Sequence, residues 1–308
     1  GGLEELRRRR DEARAEGRLY GIGCAAVVEP SISNMGYITT LLTPQQRERA
    51  GAKNGALATA TVSFDPSGAV TVNVSSVPQG QGHRTVLAQV VADELGINPG
   101  VVVAVTDHDT LKDPWSIASG NYSSRFAGAV AGAATLAASR IAKRLKVIAA
   151  PDLNVPVVDV ELSDGTARSA SNPDNAIPLV RVAAKAHWSP LSIPEDAGVG
   201  LRETAFWAGP ELREPDPKDR VNSSGAYGFI FDYCGVEVDP IDGSVRIDKY
   251  VTAHDAGRLL NPALADGQIR GAFAHGLGAA LLEELSYAPD GTFQAGTFAD
   301  YCAPYATD

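Results

Sequence analysis

The run Val77-Pro78-Gln79-Gly80-Gln81-Gly82-His83-Arg84-Thr85 sets two glycines around an amide side chain, just ahead of a helical pattern that continues to Leu95. Without a Cβ, Gly80 and Gly82 let a ligand come up to the backbone. The first amides of the following helix lack internal partners and lie at the positive end of its dipole. Residues 80–85 are therefore a candidate seat for an anion such as a phosphate, with Gln81, His83 and Thr85 as polar neighbours. A glycine-rich strand-to-helix turn that binds nothing fits the same residues, so both readings stay open.

A second loop, Ser119-Gly120-Asn121-Tyr122-Ser123-Ser124-Arg125, also leads into an expected helix, over residues 123–150. Hydroxyls at Ser123 and Ser124, helix-start amides and the Arg125 guanidinium form a second candidate oxyanion cradle, since arginine grips phosphate through two parallel bonds. An N-cap serine followed by a surface arginine is the alternative. A third segment runs from His254-Asp255-Ala256-Gly257 through Asn261-Pro262 into a helix bearing Gly267, Gly271, Gly276 and Gly278. Each helix glycine costs about 1 kcal/mol relative to alanine, so four of them need tight packing or an approaching ligand as a reason. There Gln268 either offers its amide to the edge of a heterocycle or is satisfied by backbone.

Other chemistries find less support. No spacing suggests a Ser/His/Asp triad or a glycosidase carboxylate pair, and the five histidines show neither HxH nor HExxH. Asp107-His108-Asp109 reads as a strand exit, because neighbours along a strand face opposite ways. Cys24, Cys234 and Cys302 are far apart and form no CxxC, which argues against zinc or an iron–sulfur centre and for reduced thiols in a cytoplasmic protein. A net charge of −10 disfavours nucleic acid and anionic membranes, so an anionic ligand has to be held by local donors. The basic cluster at residues 7–10 sits among Glu4, Glu5, Asp11, Glu12 and Glu16 and reads as a solvated helical face. No apolar run is long enough to span a bilayer, and the first residues lack the apolar core of a signal peptide.

The elements that must position these loops follow from periodicity and turn residues. Helices are expected at residues 3–17, 85–95, 123–150 and 263–285, and a polar connector at 43–54. Strands are expected at 20–28 and 101–106, hairpins at 57–64/69–76 and 228–238/244–253, and a hairpin edge at 157–162. The order hairpin, polar loop, glycine-bearing helix occurs at 57–95 and again at 228–285. The expected architecture is α+β: two related subdomains, 1–150 and 151–308, of β-hairpins and mixed sheet with Gly-rich loops leading into helices.

Taken in order, the loops resemble the molybdenum hydroxylase family, that is, the large subunits of xanthine dehydrogenase, aldehyde oxidase and carbon monoxide dehydrogenase. The matching pieces are Glu16-Gly17-Arg18-Leu19-Tyr20-Gly21-Ile22-Gly23, Gly80-Gln81-Gly82-His83-Arg84-Thr85, residues 119–125, His254-Asp255-Ala256-Gly257 with Asn261-Pro262, Gly267-Gln268-Ile269-Arg270-Gly271, and Asp300-Tyr301-Cys302-Ala303-Pro304. They cover nearly the whole chain and look closest to bacterial members that use molybdopterin cytosine dinucleotide. The resemblance implies a molybdenum held by the pterin dithiolene, with no protein side-chain ligand. It places Gln81 against the pterin, residues 119–125 on the pyrophosphate side with Ser119 and Gly120 near the metal's substrate face, and Gln268 on the pterin or an equatorial ligand.

The family oxidises aldehydes, N-heteroaromatics and similar small molecules with water as oxygen source. Electrons leave through 2Fe-2S clusters and FAD on partner subunits. The family's catalytic glutamate sits in a Gly-x-Gly-Glu segment expected beyond Asp308, so no catalytic residue is expected within this chain. The family's preceding half also has no counterpart here. The chain is thus expected to be a cofactor-binding portion that needs the rest of the molybdenum subunit, an iron–sulfur subunit and a flavin subunit, and to be inactive alone. A non-catalytic scaffold keeping the same fold is the competing expectation. An unrelated dinucleotide-binding domain fits poorly, because no GxGxxG and no alternating βαβ pattern is present.

Overall fold

The computed structural model describes residues 2–33, 35–51, 58–111, 113, 119–198 and 200–306. Along the chain come α1 (Leu3–Ala15), β1 (Leu19–Ser33), α2 (Pro44–Ala50), β2 (Ala58–Phe64), β3 (Val70–Val74), α3 (His83–Leu95) and β4 (Val102–Val105). There follow α4 (Ala131–Leu153), β5 (Val160–Ser163), β6 (Thr166–Ser169), β7 (Ala176–Pro178), α5 (Leu179–Trp188), β8 (Arg202–Trp207), β9 (Ser224–Val238), β10 (Val245–Asp255) and α6 (Pro262–Leu281).

Three sheets result, ordered β4-β3-β2-β8, β5-β6-β7 and β1-β9-β10. The four-stranded sheet carries the core. Ala58, Ala60 and Val62 of β2 and Val70, Val72 and Val74 of β3 are buried, and β4 joins β3 in parallel while β2–β3 and β2–β8 are antiparallel. Helix α4 lies against this sheet through Ala133, Ala134, Ala137, Ala138, Ile141, Leu145 and Ile148. Its small residues bring the helix close, and each fully buried Ile or Leu contributes about 1.5–3 kcal/mol.

In the sheet β1-β9-β10, Leu6 of α1 is wholly buried and a Cβ on Gly235 would run into Leu6 and the Tyr20 hydroxyl, so glycine is what lets the helix seat there. Arg9 donates to both Asp248 oxygens at 3.0 and 2.9 Å, and the Tyr20 hydroxyl donates to the same carboxylate at 2.7 Å. Burial, helped by that bond, pushes the Tyr20 phenol up to about 12. Its contribution to stability is present below the ordinary phenol range and is lost as pH rises through about 12. Asp248→Ala should cost about 2 kcal/mol of folding stability, read as a lower urea midpoint at an unchanged slope.

The expected hairpins, the strands at 20–28 and 101–106 and the helices at 3–17, 85–95 and 263–285 all have counterparts within a few residues, apart from the longer β1. Three expectations change. Helix 123–150 does not start at Ser123. Ser123 and Ser124 have φ of 52° and 43°, left-handed values that cannot open a right-handed helix; a π-helical turn at Phe126–Val130 precedes α4. The connector at 43–54 contains α2, capped reciprocally because the Thr43 side chain accepts from the Gln46 amide and the Gln46 side chain accepts from the Thr43 amide. Residues 52–57, which complete that connector and begin its neighbouring strand, lie outside the described residues. So does Asp308, the position past which the catalytic glutamate segment is expected.

The division at residue 150 also changes. It falls inside α4, and the β1–β9 and β2–β8 ladders join segments from both sides of it into single sheets. The chain instead parts into one unit of residues 1–79 with 83–258 and another of residues 80–82 with 259–308. The expected second subdomain, from residue 151 to Asp308, is therefore not a unit of its own.

Candidate functional site

In the larger unit, the exit of β3, the start of α3 and the loop 119–125 are bound to one another. The Gly120 amide donates to the Ser75 carbonyl at 2.9 Å, and Asn121 Nδ2 donates to Gln79 Oε1 at 3.3 Å. The His83 ring lies flat on Phe126, with centroids 3.7 Å apart and planes 2° apart. The two residues that flank the glycine turn, Gln79 and His83, therefore both touch the second loop or the turn that follows it.

The loop itself is held in an expensive shape. Ser123 accepts from the Ser33 amide through Oγ at 3.1 Å and from the Ile32 amide through its carbonyl at 2.8 Å, which pins the first of the two left-handed residues against β1. Non-glycine residues in that region cost on the order of 1–3 kcal/mol each and persist where the surroundings over-determine them, often at binding sites. Ser124 is exposed and Thr85 is exposed at the first turn of α3. Arg84 is drawn aside, donating to Thr106 Oγ1 and to Asp107 Oδ1, both at 2.9 Å.

Arg125 is not the surface arginine that the sequence left open. It is 1% exposed, with its guanidinium 5.4 Å from the centre of the Tyr122 ring. Burial pushes its pKa down from the ordinary arginine value, and the neighbouring phenol up. His83 is also buried, and desolvation lowers its pKa, favouring the neutral ring. Among the described residues, Ser76 Oγ, His83 Nδ1 and the Tyr122 hydroxyl are buried without a hydrogen-bond partner. An unmet buried donor or acceptor costs about 1–3 kcal/mol, so three of them on adjoining segments mark a place shaped for polar atoms that the described residues do not supply.

In the smaller unit, Gly80 and Gly82 have φ of 96° and 78°. A Cβ on Gly82 would sit 2.7 Å from Leu264 Cδ1, so the turn passes hard against the first turn of α6. Asn261 caps α6 by accepting from the Leu264 amide at 3.0 Å. Gln268 follows Leu264 by one helical turn, is exposed, and lies on that same side of α6. Added Cβ atoms at Gly267, Gly271 and Gly276 would meet no described atom within 4 Å beyond the helix's own backbone.

Sequence reasoning missed Ser76 and Phe126. The serine pair at 75–76 ending an apolar strand was a usable signal for the first, whereas nothing in the pattern marks Phe126, which a π-turn delivers. Asp107 goes to Arg84 and the Asp109 amide to Asp113, so these neighbours serve separate partners. No group of three His, Cys, Asp or Glu among the described residues is placed to hold a metal ion. No helix among them is long and apolar enough to cross a membrane.

All 308 residues match the model of the molybdopterin cofactor-binding domain. The chain belongs to the molybdenum hydroxylase family. It is 33% identical to the nicotine 6-hydroxylase large subunit of Paenarthrobacter nicotinovorans, over 96% of this chain and 33% of that one. It is 30% identical to subunit gamma of the 6-hydroxypseudooxynicotine dehydrogenase complex of the same organism, over 99% of this chain and 33% of that one. Quinoline 2-oxidoreductase from Pseudomonas putida 86 superposes with a TM-score of 0.76 at 29% identity, covering 98% of this chain and 35% of that chain. CO dehydrogenase from Oligotropha carboxidovorans shares the fold at the same TM-score and 24% identity, over 99% and 35%. The chain thus spans about a third of the length of these relatives.

Proposed function

We propose that this chain holds the molybdopterin cofactor, in its cytosine dinucleotide form, for an enzyme that oxidises a small N-heteroaromatic or aldehyde substrate with water as oxygen source. The observation that carries this reading is the juxtaposition of the β3 exit, the α3 start and the loop 119–125 around three unmet buried polar atoms. Within the larger unit the donor set fits a pyrophosphate-bearing group: amides of His83 and Thr85, the loop Ser119, Gly120, Asn121, Tyr122, Ser123 and Ser124, and the Arg125 guanidinium; in the smaller unit the Gly82 amide is a further candidate donor. Gly80 and Gln81 would line the pterin side, with the exposed Gln268 amide as a further donor and acceptor.

When bound, the cofactor supplies a metal centre for two-electron oxidation, and its dithiolene accounts for molybdenum without side-chain ligands. This chain's residues bind and orient that group by hydrogen bonds. The catalytic base is assigned to another part of the large subunit. The names of the nicotine and quinoline enzymes favour an N-heteroaromatic substrate, and "large subunit" and "complex subunit gamma" favour a hetero-oligomer with iron–sulfur and flavin subunits. A cytoplasmic location belongs to the same reading.

The test is chemical analysis of the assembled enzyme purified with this chain in its full large subunit. Stoichiometric molybdenum and cytidine monophosphate, the latter released by acid hydrolysis, are expected. Protein that folds and assembles while carrying neither would make the chain a scaffold; molybdenum with another nucleotide would remove the cytosine form.

A further inference from the structure

The flat His83–Phe126 stack is an unusual arrangement that does more than fill space. Aromatic pairs generally settle offset or edge-to-face with centroids about 4.5–7 Å apart, yet here they are 3.7 Å apart and parallel. Both rings are held from behind: His83 is 3% exposed, and Phe126 packs against the core beneath α4. The backbone that delivers Phe126 is costly. Two left-handed serines precede it and a π-helical turn begins at it, and π-turns are frequent at functional sites. Simple core packing would be served better by two aliphatic side chains, with no buried Nδ1 left without a partner.

We propose that Phe126 is a positioning residue for cofactor binding. Acting through the His83 ring, it fixes the first turn of α3 against the loop 119–125, so that the amides of one and the donors of the other meet the same anionic group. The proposal rests on the cofactor reading above. Two other contacts tie these segments together, the Gly120 amide to the Ser75 carbonyl and Asn121 to Gln79, but both lie on the β3 side. The stack is a contact made at the first turn of α3 itself, so its loss loosens that turn's alignment with the loop while the buried face of α3 and the sheet stay in place.

The experiment uses the full assembled enzyme with F126L, which removes the ring but keeps apolar volume, and F126Y, which keeps the ring. Release of molybdenum and cytidine monophosphate into the filtrate is followed over time, alongside the melting temperature. F126L should melt close to wild type and lose cofactor roughly fivefold to tenfold faster, while F126Y should hold it near the wild-type rate. Equal retention by F126L and wild type, or equally fast loss by F126Y and F126L, overturns the proposal and leaves the cofactor reading standing. Wild-type enzyme without molybdenum or nucleotide overturns both. Should F126L fold poorly, F126M, another ringless filler, carries the same measurement. Both ringless variants failing to fold would make Phe126 a core residue only and end the proposal.

Discussion

An Arg125→Ala enzyme, purified as the full assembly, is expected to carry less than about a tenth of the wild-type molybdenum and cytidine monophosphate. A charge-assisted, bidentate contact to phosphate is worth about 1.5–3 kcal/mol, which is roughly tenfold to a hundredfold in affinity. Two terms oppose each other when this residue is removed. The Tyr122 contact and the packing around a side chain only 1% exposed are lost, which destabilises the fold. The desolvation cost of a buried cation, visible in the lowered pKa of Arg125, also disappears, which stabilises it. These terms partly cancel in folding, whereas nothing offsets the lost donors in anion binding. Cofactor content should therefore fall far more than the melting temperature. Arg125→Lys separates charge from geometry: it keeps the cation but not the planar fork, so it should retain an intermediate amount. Wild-type occupancy in Arg125→Ala would remove Arg125 from the binding site.

How far the site was legible depended on whether its signal was local. Gly80 and Gly82 stood out because a left-handed turn selects glycine, and the structure gives both positive φ. The alanine run of α4 and the Asp-Gly turns of β5–β6 and β9–β10 were equally local: both turns form where expected, and the alanine run is helical although α4 begins only at Ala131. The meeting of the β3 exit and the α3 start with the loop 119–125 was not local. Gly120 meets Ser75 and Phe126 meets His83 across long stretches of sequence that periodicity could not pair. The same applies to the units: the turn 80–82 goes with α6 because Gly82 leaves room for Leu264, a contact that no composition shift announces. The loop's shape was hidden for a different reason. Serine rarely adopts left-handed angles, so Ser123 and Ser124 read as a helix start, and only their backbone angles and the bonds of Ser123 to β1 reveal otherwise.

Gly96→Ala should be the most damaging single-methyl change to the fold, costing about 4 kcal/mol or more. Gly96 ends α3 in a left-handed conformation at φ 64°, with its amide donating to the Asp93 carbonyl at 3.4 Å and the Ile97 amide donating to Ala92 at 3.1 Å. That pattern closes a helix through a residue at positive φ, and glycine adopts it at no steric cost. Strain alone would cost alanine about 1–2 kcal/mol. The remainder comes from position: a Cβ on Gly96 would collide with the Leu162 carbonyl and lie 2.7 Å from the Ser163 amide nitrogen, both backbone atoms of β5 that cannot rotate away. The Gly96 carbonyl also accepts from the Gly165 amide at 2.8 Å, so moving the strand breaks this link between α3 and the β5–β6 turn. Gly165→Ala is the internal control. Gly165 has φ of 72° but no described atom within 4 Å of its Cβ position, so that variant bears the conformational strain without the collision. The two urea midpoints should differ by the equivalent of about 2–3 kcal/mol at equal slopes. Equal destabilisation would mean that the approach of β5 to α3 is looser than these contacts require, and that backbone strain alone explains the glycine.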